Sequence, residues 1–184
     1  MLDRIAIVTG NAGKAAEYAA MLGIDVTPAK AELTEVQSLD VAAVAARKAA
    51  DAYAQLGQPV LVDDTGLAIH AWNGLPGALV AWFLDTVGPQ GFLDMAAGIT
   101  DRRATATAAL GYADATGVRV FQGTVDGTLA TEPRGTSGFG YDPVFIPDGD
   151  SGHRTWAEMT SEEKNKVSHR RRAVEAMRND LGLQ

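Results

Sequence analysis

Cysteine is missing from this 184-residue chain. Its absence excludes disulfides, zinc ribbons, thiolate-held clusters and a cysteine nucleophile. Histidine is scarce: His70 and His153 stand isolated, and no Ser-His-Asp arrangement can be argued from the spacing of the three. No apolar run approaches the roughly 18 residues of a membrane span. The segment after Met1-Leu2-Asp3-Arg4 is too short for a signal h-region. These features predict a soluble, cytoplasmic protein that uses no membrane. Cations are in the minority, 16 Lys+Arg against 23 Asp+Glu for a net charge of −7. That balance argues against a nucleic-acid-binding surface, which normally carries a basic excess. Repeats, low-complexity tracts and linkers are lacking as well. What remains is ordinary globular composition, 46% hydrophobic and 21% charged. At roughly 100–200 residues per domain, residues 1–184 form one domain, and a chain of this size buries about 70% of its unfolded surface without a staple.

Strand and helix patterns alternate at first. A strand is expected at Arg4–Thr9, a turn through Gly10–Gly13, a helix from about Lys14 to Leu22, and a short strand near Ile24–Thr27. An Ala-rich helix follows from Leu39 to Leu56, with Ser38 as its N-cap and Gly57 as its stop. Pro59-Val60-Leu61-Val62 reads as a buried strand that delivers Asp63-Asp64 at its C-terminal end. After a Gly- and Pro-rich loop at 73–77 come an apolar segment, Ala78–Val87, and a short helix near Pro89–Ala97. Arg103–Ala113 and Val118–Val125 predict a hairpin, and Asp126-Gly127 a second turn. Thr160-Ser161-Glu162-Glu163 is a capping-box pattern, and Ser168 caps a last helix that Gly182 ends. The class is α/β, or α+β, with a mixed sheet.

Four segments carry chemistry. Thr9-Gly10-Asn11-Ala12-Gly13-Lys14 joins a strand to a helix, so its N–H groups and lysine form either an anion cradle or a plain tight turn. It is not a P-loop, because Val8 stands where the first glycine belongs and Ala15 where a Ser or Thr would bind magnesium. Asp63-Asp64, with Glu32 and Glu35 upstream, offers oxygen ligands for a hard divalent cation. Gly135–Pro143 brackets Phe139, Tyr141 and Asp142 with glycines. Its aromatics are suited either to stacking on a base or to packing in the core. Finally, Glu163–Arg172 gathers cations around a helix start at Ser168, which favours an anionic or carbonyl-bearing ligand.

Taken together and in order, these segments resemble the inosine/xanthosine triphosphate pyrophosphatase family. The matching stretches include Thr9–Lys14, Val62-Asp63-Asp64-Thr65-Gly66-Leu67, Gly74-Leu75-Pro76-Gly77 and Gly138–Phe145. Thr155-Trp156-Ala157-Glu158-Met159 and Glu163–Arg170 complete the set. The resemblance implies an elongated two-lobed fold with a long mixed sheet and a cleft between the lobes. It implies magnesium-dependent hydrolysis of ITP, dITP and XTP to the monophosphate and pyrophosphate, by a homodimer. Position by position, Thr9, Asn11, Lys14 and Lys48 fall on the phosphates. Glu35 and Asp64 match the magnesium-binding acids, and Asp64 also matches the catalytic base. Thr65 is a further substrate contact. Phe139, Tyr141 and Asp142 line the nucleoside site, while Lys164, Ser168, His169 and Arg170 match the base-recognition segment. Rival readings are a pyrophosphatase for methylated or pyrimidine triphosphates and a catalytically silent nucleotide sensor. The net charge is compatible with a small polyanionic substrate, because six of the 16 cations fall between Lys164 and Arg178.

Overall fold

The computed structural model describes residues 4–183. Seven strands form one mixed sheet: β1 (Arg4–Val8), β2 (Asp25–Ala29), β3 (Val60–Ile69), β4 (Pro76–Gly77), β5 (Arg103–Asp114), β6 (Gly117–Leu129) and β7 (Phe145–Pro147). Their order is β2-β1-β3-β5-β6-β7, with the two-residue β4 also paired to β3. β1 is parallel to both β2 and β3, and every other pairing is antiparallel. Helices α1 (Ala12–Leu22), α2 (Val41–Leu56), α3 (Val80–Met95), α4 (Ser161–Val167) and α5 (His169–Leu181) cover the two faces. The mixed α/β class expected from the sequence is the one observed.

Period-two alternation divides the core. Leu61 on β3, with Leu110 and Tyr112 on β5, packs under α1 and α5 against Tyr18, Val174 and Met177. Val60 and Val62 point to the opposite face, against Ala49 and Ala52 of α2. Farther along the first face, Leu67 and Ile69 meet Phe92, Phe145 and Trp156. α5 lies directly on the sheet at Gly123, where a Cβ would collide with the His169 carbonyl oxygen and the Ala173 amide. That contact fixes the height of the first turn of α5, and with it His169, above the strand.

Helix ends follow local chemistry. Asn11 Oδ1 accepts from the Gly13 and Lys14 amides at 2.9 and 3.2 Å, and Gly23 ends α1 in a left-handed conformation. Thr160 and Glu163 form the expected capping box, and Ser168 caps α5. Two expectations change. The N-cap of α2 is Asp40, whose Oδ1 accepts from Ala42 N at 2.9 Å, while Ser38 Oγ accepts from Asp40 N one step earlier. Asp126-Gly127 is not a turn: Gly127 is held extended between Ala104 and Pro147, so strand pairing overrides turn propensity. The apolar segment 78–87 and the short helix expected near Pro89–Ala97 are separated as expected, by the non-helical Gly88 (φ 70°, ψ 174°) within Val80–Met95, after which Pro89 starts the second helical stretch.

The largest correction concerns Asp63-Asp64. The two acids do not end their strand, because β3 continues to Ile69 along an unbroken ladder with β5. Its other edge is interrupted. β1 pairs only with 60–62, and β4 only with Leu67 and Ala68. Residues 63–66 therefore lie opposite a gap, at the carboxyl end of the parallel pairing. Open α/β sheets place ligands at such a point.

Candidate active site

Alternation along β3 sends the adjacent acids to opposite faces. Asp63 faces α1, where Lys14 Nζ lies 3.1 Å from Oδ2, the Tyr18 hydroxyl 3.4 Å and Arg170 Nε 3.9 Å. Asp64 faces α2. There Lys48 Nζ donates to Asp64 Oδ1 at 2.9 Å and lies 2.8 Å from Glu35 Oε1. The second Asp64 oxygen, Oδ2, is buried and has no hydrogen-bond partner. Burial pushes the Asp64 carboxyl above the ordinary carboxylate range, and the Lys48 ammonium pulls against that rise. Burial also works against charge on Lys48, but Asp64 and Glu35 outweigh it and hold its pKa up. Glu32 is exposed, with its backbone tied to Gln55, and does not line the cavity.

The α1 N-terminus completes this end. Its first turn carries no acid, so its partial positive charge is not locally neutralised. Thr9 Oγ1 accepts from Asn11 N at 3.2 Å. Asn11 spends its Oδ1 on the cap, which leaves its Nδ2 to donate outward.

The other end is built from the Gly-rich loop, α4 and α5. Asp142 Oδ2 accepts from Phe139 N at 2.8 Å and from Lys164 Nζ at 2.7 Å. Lys164 also donates to Glu17 Oε1 at 2.9 Å, and Arg170 Nη1 lies 3.1 Å from Glu17 Oε2. Both cations sit over the Phe139 ring, with Lys164 Nζ 4.6 Å and Arg170 Cζ 4.9 Å from its centroid. Gly13 permits this arrangement, since a Cβ there would meet the ring at 2.8 Å. His169 is fully buried, stacked on Trp156 at 4.8 Å and 11°, with its Nε2 2.9 Å from the Tyr141 hydroxyl. Burial, aided by Arg170, Lys164 and Lys14, drives its pKa well below the ordinary histidine value, so the ring is neutral near pH 7. Burial likewise raises the Tyr141 phenol and keeps it protonated.

One cavity of about 640 Å³ collects most of these groups. Of the residues the sequence singled out, Thr9, Asn11, Lys14, Glu35, Lys48, Asp64, Thr65, Phe139, Tyr141, Asp142 and Arg170 line it. Lys164, Ser168 and His169 stand one layer behind; Ser168 spends its hydroxyl on the α5 cap, accepting from Arg171 N at 3.2 Å. The cationic run divides accordingly: Lys164 and Arg170 turn inward, while Lys166 and Arg172 face solvent. Tyr141 belongs to the core on one side and the cavity on the other, whereas Phe139 is only half-buried. Sequence reasoning passed over Glu17, which is joined to both inward cations. The signal was present, because a glutamate three residues after Lys14 falls on the stripe that continues through Met21. It also missed the α3 wall, where Trp82 and Asp85 line the same cavity.

The Ham1 family model matches residues 5–180. A dITP/XTP pyrophosphatase of Hyperthermus butylicus is 44% identical over 173 residues, covering 92% of this chain and 90% of its own. Inosine triphosphate pyrophosphatase 2 of Trypanosoma cruzi is 42% identical over 178 residues, covering 95% and 90%. Among solved structures, a HAM1 protein from Coxiella burnetii superposes with a TM-score of 0.84 at 32% identity, covering 97% of this chain and 98% of that one.

Proposed function

This chain belongs to the Ham1 family, and on that premise we propose that it hydrolyses the nonstandard purine nucleotides ITP, dITP and XTP to the monophosphate and pyrophosphate. The reading takes residues 1–184 as one catalytic domain, with the cavity as the cleft between two lobes. One observation carries it. A single cavity has anion-binding groups and an unpartnered Asp64 oxygen at one end, and Phe139 with Arg170 at the other, backed by Lys164 and neutral His169.

The acid end fits a magnesium ion. Asp64 Oδ2 is a buried hard donor without a partner, and Glu35 converges on the same ammonium. Among the described residues no group of three metal-ligating side chains forms a cage. That suits magnesium, which takes one or two carboxylates and completes its shell with water and phosphate. Glu35 and Asp64 would hold it, and when bound it neutralises charge on the phosphate oxygens.

The rest is the work of the chain itself. The α1 amides, Thr9, the Asn11 amide, Lys14 and Lys48 bind and orient the triphosphate. The Asp64 carboxylate takes a proton from the water that attacks the α–β anhydride. Thr65 contacts the substrate beside it. Phe139 offers one face to the purine, with Tyr141 and Asp142 beside it, and Ser168 holds the α5 start in place. Lys164, His169 and Arg170 select the base: donors accept a 6-oxo group and leave adenine's 6-amino group facing another donor. The assembly proposed is a homodimer, to be checked by light scattering.

The decisive assay incubates the purified protein with Mg²⁺ and ITP, XTP, GTP, ATP, dTTP or 7-methyl-GTP, then separates orthophosphate from pyrophosphate. The expected result is pyrophosphate from ITP and XTP. Orthophosphate release, or a preference for ATP, dTTP or 7-methyl-GTP, overturns the reading.

A further inference from the structure

Glu35 reaches the acid end of the cavity from a segment without regular structure. β2 is an edge strand that ends at Ala29, and residues 30–40 form neither helix nor strand before α2 begins. The Glu35 side chain is mostly exposed, and at that exposure its ion pair with Lys48 is too weak to hold the loop in place. The backbone ahead of Glu35 is held by side chains of α2 instead. Gln55 grips Glu32 at both polar groups: Oε1 accepts from Glu32 N at 2.9 Å, and Nε2 donates to Glu32 O at 2.5 Å. A neighbouring antiparallel strand would satisfy the residue in the same way. Asp51 Oδ2 accepts from Thr34 N at 3.2 Å, and its Oδ1 lies 2.9 Å from Arg47 Nε. Between the two grips Leu33, with Ala31, packs against the cluster that contains Ala49 and Ala52.

We infer that Asp51 and Gln55 are positioning residues for the metal-binding acid Glu35: they clamp the 32–34 backbone onto α2 and so bring the Glu35 carboxylate to the Lys48–Asp64 pair. Lys48, Asp51 and Gln55 are three and four positions apart and share one stripe of α2. The loop runs down that stripe, with Gln55 against Glu32, Asp51 against Thr34 and Lys48 against Glu35. Lys48 also donates to Asp64, so one helix sets the position of both acids. On an unclamped loop, binding a cation would also have to order the chain, and the lost entropy opposes it. The clamp does that ordering in advance. Its hydrogen bonds lie at the surface, where water satisfies any group set free, so the fold tolerates their removal. Their value is in aiming a ligand, and outer partners of this kind change metal affinity by roughly 10- to 100-fold.

The clamp stands apart from the pyrophosphatase reading; its service to a metal rests on the magnesium site proposed with that reading. The probe is Mn²⁺, added to the full chain without nucleotide and followed by loss of its free-ion electron paramagnetic resonance signal. Amide hydrogen exchange at Glu32 and Thr34 reports on the clamp itself. In Asp51→Ala/Gln55→Leu both amides should exchange roughly tenfold faster and the Mn²⁺ dissociation constant should rise roughly tenfold, with circular dichroism unchanged. The Mg²⁺ concentration that half-saturates ITP hydrolysis should rise with it, while kcat at saturating Mg²⁺ falls less than about threefold. Gln55→Leu alone should move each quantity in the same direction by less. Asp51→Asn keeps an acceptor for Thr34 N and should stay within about twofold of the wild-type Mn²⁺ affinity. If Asp51→Asn loses as much as Asp51→Ala, the charge acts rather than the grip, and the inference is overturned. Unchanged Mn²⁺ affinity in the double variant overturns it, and so do unprotected amides or absent Mn²⁺ uptake in the wild-type chain. If the wild-type chain hydrolyses no nucleotide while its Mn²⁺ affinity depends on the clamp, the pyrophosphatase reading fails and this inference stands. If it hydrolyses ITP with a Mn²⁺ affinity indifferent to the clamp, only this inference fails.

Discussion

The two ends of the cavity differ in how far their charges are withdrawn from solvent. At the purine end Lys164 and Arg170 are almost fully buried and are closed off against Glu17 and Asp142, although Glu17 Oε2 and Arg170 Nε make no hydrogen bond. At the acid end Glu35 is 69% exposed, and Asp64 keeps one oxygen buried and unpartnered. Recognition of a base calls for donors and acceptors that hold still, so their charges are neutralised within the protein. Phosphate chemistry calls for valences left open to water, metal and substrate. The gap in the sheet beside residues 63–66 supplies that openness, and the helix pair α4–α5 supplies the rigidity.

The largest effect should come from the open end. Asp64→Asn removes the base, and pyrophosphate release from ITP should fall by roughly a thousandfold, with circular dichroism unchanged. A near-normal rate would place the chemistry elsewhere and dissolve the contrast. At the closed end, Glu17→Ala leaves Lys164 with Asp142 alone and takes from buried Arg170 its nearest carboxylate, and it should lower stability by about 3–5 kcal/mol in denaturant unfolding. Glu17→Gln should cost less; equal and negligible losses would show that the closed set is not closed. Where the two ends meet, Gly13→Ala pushes a methyl against the Phe139 ring and should cost about 1–3 kcal/mol while raising the KM for ITP.

A pH profile sharpens the comparison further. Asp64 works ionised and burial raises its pKa, so turnover is lost as the pH falls through a value above the usual carboxylate range. Lys48 opposes that rise, so Lys48→Met should move the acid limb to higher pH as well as slow the reaction. A shift to lower pH would contradict the pairing. The smallest effect belongs to the outward half of the cationic run. Lys166→Ala breaks only an exposed i,i+4 pair with Glu162 and should shift the melting temperature by no more than about 1 °C.

Legibility in the sequence followed the range of the interactions. Thr160 and Ser168 act within three residues of themselves, and their caps were readable as such; Asn11 caps α1 just as locally but was read as part of a turn. The Asp114–Gly117 turn between β5 and β6 was equally local. Asp126-Gly127 was misread because its conformation is set by Ala104 and Pro147, on two other strands. Ser38 was taken for the cap because it is as good a capping residue as Asp40; only the position of Val41 against Ala45 and Ala109 selects the helix start. Most of the cavity-lining side chains were identifiable from motifs; Glu17, behind the wall, was passed over, since its partner Lys164 lies 147 positions away.

The sequence by itself determined the inventory: which helices form, where they stop, a mixed α/β class, and a set of lysines, acids and aromatics suited to a nucleotide. The tertiary structure decided how that inventory is used. Strand pairing, not composition, puts Asp63 and Asp64 on opposite faces beside a gap. Packing of α5 on Gly123 buries His169 and strips it of charge. The reason is physical: caps and turns are satisfied by neighbours in the chain, whereas desolvation and ion pairing depend on whatever the fold brings alongside.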